Sequence, residues 1–470
     1  MKKTTNFVCQ QCGATYAKWV GQCSNCESWN SLVEQVIEPE AKAAISKGQV
    51  SGKKLDYVKL NSVTPSDAKE RLKTNFKDLN TVLGGGFLQG SVNLLAGQPG
   101  IGKSTLLMQI CAEIAKKKKV LYVSGEESAG QIKLRAERLG ASSDNLNFAS
   151  STSGNDIAKT IESGEFDFVI VDSIQTLTMN EISSAPGTVS QVTNCGNLLI
   201  RAAKLTDTAV VIVGHVTKEG TLAGPKTLEH LVDVVLNFEG DRYGGFKTVR
   251  AVKNRFGGTN EVAIFEMNEK GLKEVENPSA ALLAERQNTD GSIILATMEG
   301  NRPILVEIQA LATPSNFGYP KRTASGFDLN RLNLLIAVIE RRTKLKLSDK
   351  DIFINVVGGL KINDSAADLA VCLAIASAVA GRKLDDNYVV FGEVGLGGEI
   401  RSAFRADQRI AEAKKLGFTH AIAPSKAKDS FVIPVKDLRE TLIKYVKWKF
   451  SASTQVSASA VLVSSKTTKP

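Results

Sequence analysis

Short apolar runs, each closed by a polar or glycine-containing break, recur through the middle of the chain. Val92–Ala96, Val120–Val123, Phe166–Ser173 and Ala209–Val213 have the length and apolar density of strands buried on both faces. After the first of these runs, Leu106, Leu107, Ile110, Cys111 and Ile114 fall on one helical face. Strands alternating with amphipathic helices predict an α/β core around a parallel sheet. A further strand is expected at Thr248–Val252.

A second pattern begins near Pro278. Gly291–Ala296, Ile304–Gln309, Asp351–Val357 and Val389–Val394 read as strands, Asn330–Glu340 as a helix, and a long helix is expected from about Ala366. The apolar stretch Ala370–Ala380 is too short for a membrane span and reads as a buried helix. The organisation expected is residues 1–33 as a cysteine-bearing unit, 34–70 as a linker, 71–275 as the α/β core, 276–450 as an α+β domain and 451–470 as a disordered tail. The linker is rich in Lys, Ser, Ala and Gln and lacks sustained periodicity, as a mobile tether does.

Charge and cysteine usage narrow the picture. The 470 residues carry a formal net charge of +10, which suits a polyanionic partner without requiring one. The N-terminus turns polar after Met-Lys-Lys and lacks the apolar stretch of a signal peptide, so the expected compartment is the cytoplasm. Thiols stay reduced there, and paired cysteines more often bind metal. Cys9, Cys12, Cys23 and Cys26 form C-x2-C, ten residues, C-x2-C: two knuckles that together present the four thiolates of a tetrahedral Zn2+ site. So short a segment holds no core of its own, so metal binding must supply its folding energy. The spacing does not say what the knuckle touches.

The candidate chemistry of the core follows Val92–Ala96 directly. Gly97-Gln98-Pro99-Gly100-Ile101-Gly102-Lys103-Ser104-Thr105 is G-x4-G-K-[ST], a P-loop, between a strand and a helix as the motif requires. Its backbone N–H groups wrap phosphates, Lys103 meets the outer phosphates of ATP, and Ser104 ligates Mg2+. Asp172 closes an apolar strand in the manner of Walker B, where it holds Mg2+ or its water. Glu126 and Glu127 follow the strand Val120–Val123, and either is placed to polarise the attacking water. His215 ends the strand Ala209–Val213, where a γ-phosphate sensor would sit, although a structural histidine fits the same position. Thr178–Val192 and Val216–Glu229 are polar stretches leaving the nucleotide end of the sheet. Lys116–Lys119 reads as a cationic helix end.

These residues, together with Lys253-Asn254-Arg255-Phe256-Gly257, resemble the bacterial RadA (Sms) family, relatives of RecA. The likeness covers nearly the whole chain: zinc knuckle, P-loop, Gly125-Glu126-Glu127-Ser128, Walker B, K-N-R-F-G and a Lon-protease-like C-terminal domain. It implies a RecA-type ATPase core, Glu126 as the catalytic glutamate, and Lys253 and Arg255 donated to a neighbouring subunit's ATP. It also implies a homo-oligomeric, hexameric ring acting on single-stranded and branched DNA alongside a RecA-type recombinase filament. The two polar stretches match the positions of RecA's DNA-binding loops. Read without the family, K-N-R-F-G is a basic turn after a strand.

The Lon likeness also implies an inactive peptidase. Alignment puts Ala366 at the serine nucleophile and Asp407 at the lysine, and Ser365 falls one residue early. The function expected is a DNA-dependent ATPase that migrates branches and extends strand exchange in recombinational repair, with helicase-like translocation. A DnaB-like replicative helicase is the nearest alternative, and an ATP-dependent Lon-type protease is the alternative from a different chemical class.

Overall fold

The computed structural model describes residues 4–10, 14–25, 27–37, 59, 70–215, 226–240, 245–315, 319–424 and 429–446. The chain divides into two compact units, one drawn mainly from residues up to Pro278 and the other from Ser279 onward.

The first unit opens with a three-stranded antiparallel sheet of β1 (Thr4–Cys9), β2 (Thr15–Tyr16) and β3 (Leu32–Ile37), in the order β2-β1-β3. Strand β3 runs as far as Ile37, which pairs with Thr4. The larger sheet contains β4 (Val92–Gly97), β5 (Val120–Ser124), β6 (Leu146–Ser150), β7 (Phe168–Asp172), β8 (Ala209–His215), β9 (Val234–Gly240), β10 (Lys247–Asn254), β11 (Val262–Asn268) and β12 (Gly271–Glu274). Its order is β12-β11-β10-β9-β4-β8-β7-β5-β6. From β6 across to β9 the neighbours run parallel, and β10 to β12 return as an antiparallel meander.

The apolar runs are continuous because both faces of this sheet are covered. Along β8, Val210 and Ile212 enter one core with Leu94 and Leu199, while Val211 and Val213 enter the other with Leu95 and Leu107. Neither face needs polar residues, so alternation disappears. The strand expected at Thr248–Val252 is β10, whereas β9 and the last two strands of the meander were not anticipated. The sequence Val-Val-Leu-Asn-Phe of β9 carries the same apolar signal as its neighbours, whereas β11 ends in exposed residues at the sheet margin.

Helices α1 (Lys77–Val82), α2 (Lys103–Ile114), α3 (Ala129–Arg138), α4 (Gly154–Glu162) and α5 (Val189–Thr206) accompany the sheet. Their starts differ in a way that bears on function. Ser128, Ser153 and Thr188 cap α3, α4 and α5 with their side chains. Helix α2 begins after Gly102 at φ 118°, with no side-chain cap. Its first N–H groups are therefore left for another acceptor, as at an anion site.

The second unit is α+β. Its mixed sheet contains β13 (Ser292–Glu299), β14 (Arg302–Pro314), β15 (Arg322–Ser325), β16 (Lys350–Val356), β17 (Tyr388–Val390), β18 (His420–Ala423) and β19 (Val432–Pro434), in the order β15-β16-β14-β13-β17-β18-β19. Helices α6 (Leu329–Thr343), α7 (Asp368–Ala380), α8 (Ala406–Lys415) and α9 (Leu438–Val446) complete it. Every residue of α7 from Asp368 to Ser377 is buried, as its unbroken apolar sequence requires. The helix expected from Ala366 starts at Asp368, preceded by a 3-10 turn over Ser365–Ala367. The strand expected over Val389–Val394 is two strands. The chain breaks at Gly392, whose N–H donates to Ala366 O while its carbonyl accepts from Leu369 N–H, and Glu393–Val394 then pairs with Ile400–Arg401. Among the described residues, no helix is long and apolar enough to cross a membrane.

Candidate ATPase site and metal-binding ribbon

Four strand ends converge at the carboxyl edge of the parallel sheet. Gly97 closes β4, Ser124 closes β5, Asp172 closes β7 and His215 closes β8, with Gly97 paired to His215 and Ser124 to Asp172. The P-loop leaves β4 here. Lys103 is 5% exposed, and its ammonium donates to the carbonyls of Gly97 at 2.8 Å and Gln98 at 3.0 Å. Burial lowers its pKa to about 8, against the opposing pull of Asp172 and Glu126. A buried cation borrowed by backbone carbonyls, below an uncapped helix start, fits a polyphosphate that would replace those carbonyls.

Asp172 Oδ2 accepts from Ser104 Oγ at 2.9 Å and from the Tyr122 hydroxyl at 2.6 Å. This hydroxyl–carboxylate pair is the oxygen-donor set that Mg2+ prefers. Tyr122 is 1% exposed, and burial with the adjacent Asp172 pushes its phenol well above the usual range. The two glutamates, equivalent by position, have different partners. Glu127 is held bidentately by Arg135 at 2.5 and 2.6 Å, an ion pair that raises the Arg135 pKa. Glu126 accepts from Ser173 Oγ at 2.7 Å, and His215 Nε2 lies 3.5 Å from the same Oε1. Tyr122, Ser173 and Arg135 escaped the sequence reading. For Tyr122 a signal existed: a hydroxyl inside an otherwise apolar buried strand needs a partner.

The K-N-R-F-G turn lies elsewhere. Gly97 pairs with Phe238 of β9, which pairs with Val249 of β10, whereas Asn254 pairs with Val234 at the opposite end of β9. The motif therefore leaves the far edge of the sheet from the chain's own P-loop. There Lys253 Nζ donates to the carbonyls of Glu229, His230 and Val232 at 2.7–3.0 Å. Burial, then the neighbouring Arg255, lowers its pKa. Arg255 Nη1 donates to Asp233 Oδ1 at 3.0 Å, and half of its side chain is exposed. Of the two polar stretches, Thr178–Val192 runs from the end of β7 into α5. In the second, residues 216–225 lie outside the described set, and Lys226–Leu231 is a short helix.

In the ribbon, Cys9 and Cys23 are buried in one small cluster with Leu32. Each opens a turn closed in the same manner: Cys9 N–H donates to Ala14 O, and Cys23 N–H to Ser28 O. Cys12 and Cys26 lie outside the described residues. In the sequence they stand three residues after Cys9 and Cys23, and this C-x2-C spacing, with the matched turns at Cys9 and Cys23, fits a four-thiolate zinc site.

In the second unit, Ala366 is buried, and the Ser365 hydroxyl donates to Glu393 Oε2 at 3.1 Å. Asp407 lies in the first turn of α8. The buried cation of this region is Arg409. It meets Asp364 at 2.6 Å and Ala296 O at 2.6 Å. Arg331 and the buried Asp368 form a second ion pair.

A P-loop at the carboxyl edge of this sheet, with Walker B beside it and an antiparallel meander at the margin, defines a RecA-type ATPase. The description "AAA domain" fits residues 59–221, "Rubredoxin metal binding domain" fits 7–34 and "Subunit ChlI of Mg-chelatase" fits 332–427. DNA repair protein RadA of Halalkalibacterium halodurans is 48% identical over 438 residues, 92% of this chain and 95% of that protein. The Listeria monocytogenes RadA is 48% identical over 440 residues (93% and 95%), and that of Bacillus subtilis 47% over 438 (92% and 95%). The chain belongs to the RadA family of DNA repair proteins. A solved RadB recombinase aligns with 44% of this chain and 100% of its own length, at 22% identity and a TM-score of 0.36.

Proposed function

We propose that this chain is a DNA-dependent ATPase that migrates branches and extends strand exchange in recombination intermediates, translocating on DNA as a ring of identical subunits. The observation that carries the reading is the placement of the P-loop and K-N-R-F-G at opposite ends of β9. Arg255 is too far along the sheet to serve its own pocket, so its use in catalysis requires a neighbour.

In this mechanism Gly97–Thr105 hold the phosphates of ATP, and Lys103 exchanges its two carbonyl partners for the outer phosphates. Ser104 and Asp172 would hold Mg2+, which would neutralise phosphate charge when bound. Glu126 orients and polarises the attacking water, because Glu127 is committed to Arg135. His215, beside Glu126, registers whether the γ-phosphate is present. A neighbour's Lys253 and Arg255 stabilise charge spreading over the transferred phosphoryl group. Arg255 must first leave Asp233, so assembly competes with an ion pair inside each subunit.

Support for a DNA substrate comes from family membership, the net charge of +10, and polar segments at the nucleotide end of the sheet, where the state of ATP can move them. The C-terminal domain serves as a scaffold for assembly and DNA contact, with Ala366 where a peptidase needs its nucleophile. Single-stranded and branched DNA are the substrates, a RecA-type filament the partner, and the cytoplasm the compartment.

Subunit mixing tests the shared site. Lys103→Ala and Arg255→Ala should each lose hydrolysis, the second by about a thousandfold while keeping nucleotide binding. Mixed oligomers pair an intact pocket with an intact arginine, and activity should return. Mixed oligomers that stay inactive would refute the shared site. Displacement of a strand from a three-way junction, with and without a recombinase, tests the branch-migration role.

A further inference from the structure

The ribbon leaves its two largest side chains in solvent. Trp19 is 53% exposed and Trp29 72%, although the unit's buried cluster holds only Cys9, Cys23 and Leu32 among the described residues. The indoles converge. A methyl-sized group at Gly21 would touch Trp19 Cη2 at 3.7 Å and Trp29 Cζ3 at 3.8 Å. Asn30 N–H donates to Gly21 O at 2.8 Å, which fixes the two halves of this hairpin and hence the rings.

A groove runs from these rings to the segment that follows Walker B. Ser28, Asn30 and Ser31 line it on the ribbon side, and Ser184, Thr188 and Ser190 on the other. The two sides are pinned together: Ser190 Oγ and Asn194 Nδ2, on α5, both donate to Glu34 O, at 3.0 and 2.8 Å. The lining is mixed: Phe7, Leu32, Val33 and Val189 add apolar wall to the two indoles, hydroxyl and amide groups edge it, Glu34 is its one carboxylate, and no lysine or arginine among the described residues lines it.

We propose that this groove takes unpaired bases of single-stranded DNA, stacked on Trp19 and Trp29. Each base offers a π-face to an indole and neutral donors and acceptors to the serine, threonine and asparagine rim. A phosphate finds no cation there. The net charge of +10 on the chain draws the polyanion, while the groove receives its bases. The site rests on the reading that the segment after Walker B faces DNA, and gives that reading a place where the strand is gripped.

The chain has three tryptophans, so Trp448→Phe leaves only the two ribbon indoles as emitters. Full-length protein is titrated with single-stranded oligothymidylate, following tryptophan emission and, separately, the anisotropy of a labelled oligothymidylate. Emission should be quenched over the range in which anisotropy rises. Trp19→Ala plus Trp29→Ala should weaken binding by about tenfold or more, with zinc content retained. The dependence of binding on salt should stay unchanged, because no phosphate contact is lost. Trp19→Phe plus Trp29→Phe should restore most of the affinity, which a folding defect would not allow.

Binding by anisotropy with unchanged emission overturns the proposal, as does unaltered affinity in the zinc-loaded double alanine variant. Loss of recombinase-filament binding with DNA affinity intact overturns it too, and would assign the groove to a protein. No rise in anisotropy at low salt would instead sink the DNA-dependent function itself, and the groove's role with it.

Discussion

The Tyr122 hydroxyl donates at 2.6 Å to the same Asp172 oxygen that accepts from Ser104. In the proposed site Ser104 would turn to Mg2+, leaving Tyr122 as the side chain that still fixes this carboxylate. Tyr122→Phe keeps the ring and removes the bond. Nucleotide affinity in magnesium should fall by about tenfold, the scale of one hydrogen bond to a charged group, while affinity in chelator should not change. Fluorescent-nucleotide titration with and without magnesium separates the two. An equal loss in both would mean that Tyr122 only supports the fold.

The two glutamates should separate under isosteric substitution. Glu126→Gln should lower ATP turnover by about a hundredfold or more at saturating ATP, the usual contribution of a positioned base. Glu127→Gln breaks the pair with Arg135 and should act mainly on stability, with turnover within several-fold of the parent. The reverse ranking would give the catalytic role to Glu127.

Lys103 carries a pH signature. Its pKa in the folded chain is about 8, below the ordinary 10.5. Between these values the unfolded chain binds more protons, so this residue makes stability rise with pH across that window. Nucleotide binding has the opposite slope, because the phosphates favour the ammonium. Above pH ~8, affinity should fall by up to about tenfold per pH unit, with uptake of a proton. Calorimetry in buffers of different ionisation heat reads that uptake, and Lys103→Arg should abolish it.

Zinc should be present at about one equivalent per chain, as the matched knuckles of Cys9 and Cys23 require. Cys9→Ala plus Cys23→Ala should release it and unfold the ribbon, leaving the ATPase core intact. A metal-free protein whose ribbon amides remain protected from exchange would contradict this.

Arg409, 1% exposed, is bound to Asp364. Arg409→Ala leaves the partly buried carboxylate with only the Thr297 hydroxyl and the N–H groups of Met298 and Ala366, and should cost about 1–3 kcal/mol in denaturant unfolding of the second unit. Burial raises the Asp364 pKa, but Arg409 and backbone donors outweigh it and hold the group below its ordinary 3.8. Its contribution is therefore present above pH ~4 and is lost as pH falls through the depressed value. Casein should survive incubation with ATP and DNA; cleavage that disappears in Ser365→Ala would revive the peptidase.

What was legible in the sequence follows the range of each interaction. The P-loop and the cysteine knuckles are local, because phosphates and zinc need donors from neighbouring residues, so spacing alone revealed them. Walker B was readable as a strand ending in Asp172. The partners that sort the site are tertiary: Ser173 reaches Glu126 across 47 positions, and Tyr122 reaches Asp172 across 50. Arg135, eight residues beyond Glu127, was silent until α3 turned it back. Lys118, expected in a cationic helix end, lies beyond Ile114, where α2 stops, and contacts Glu70 at 3.5 Å.

In the proposed shared site, the separation of Gly97 from Asn254 along β9 gives each subunit a head and a tail. A contact that joins head to tail cannot be its own mirror partner, so two copies meeting alone complete one site and leave one pocket idle. Every open row has the same defect at one terminus, whatever its length. Closure removes it, because the last arginine then finds the first pocket. Working sites per subunit therefore rise as an open row lengthens and reach their full value only when the row closes on itself. The hydrolysis rate of such an assembly would report whether it has come full circle.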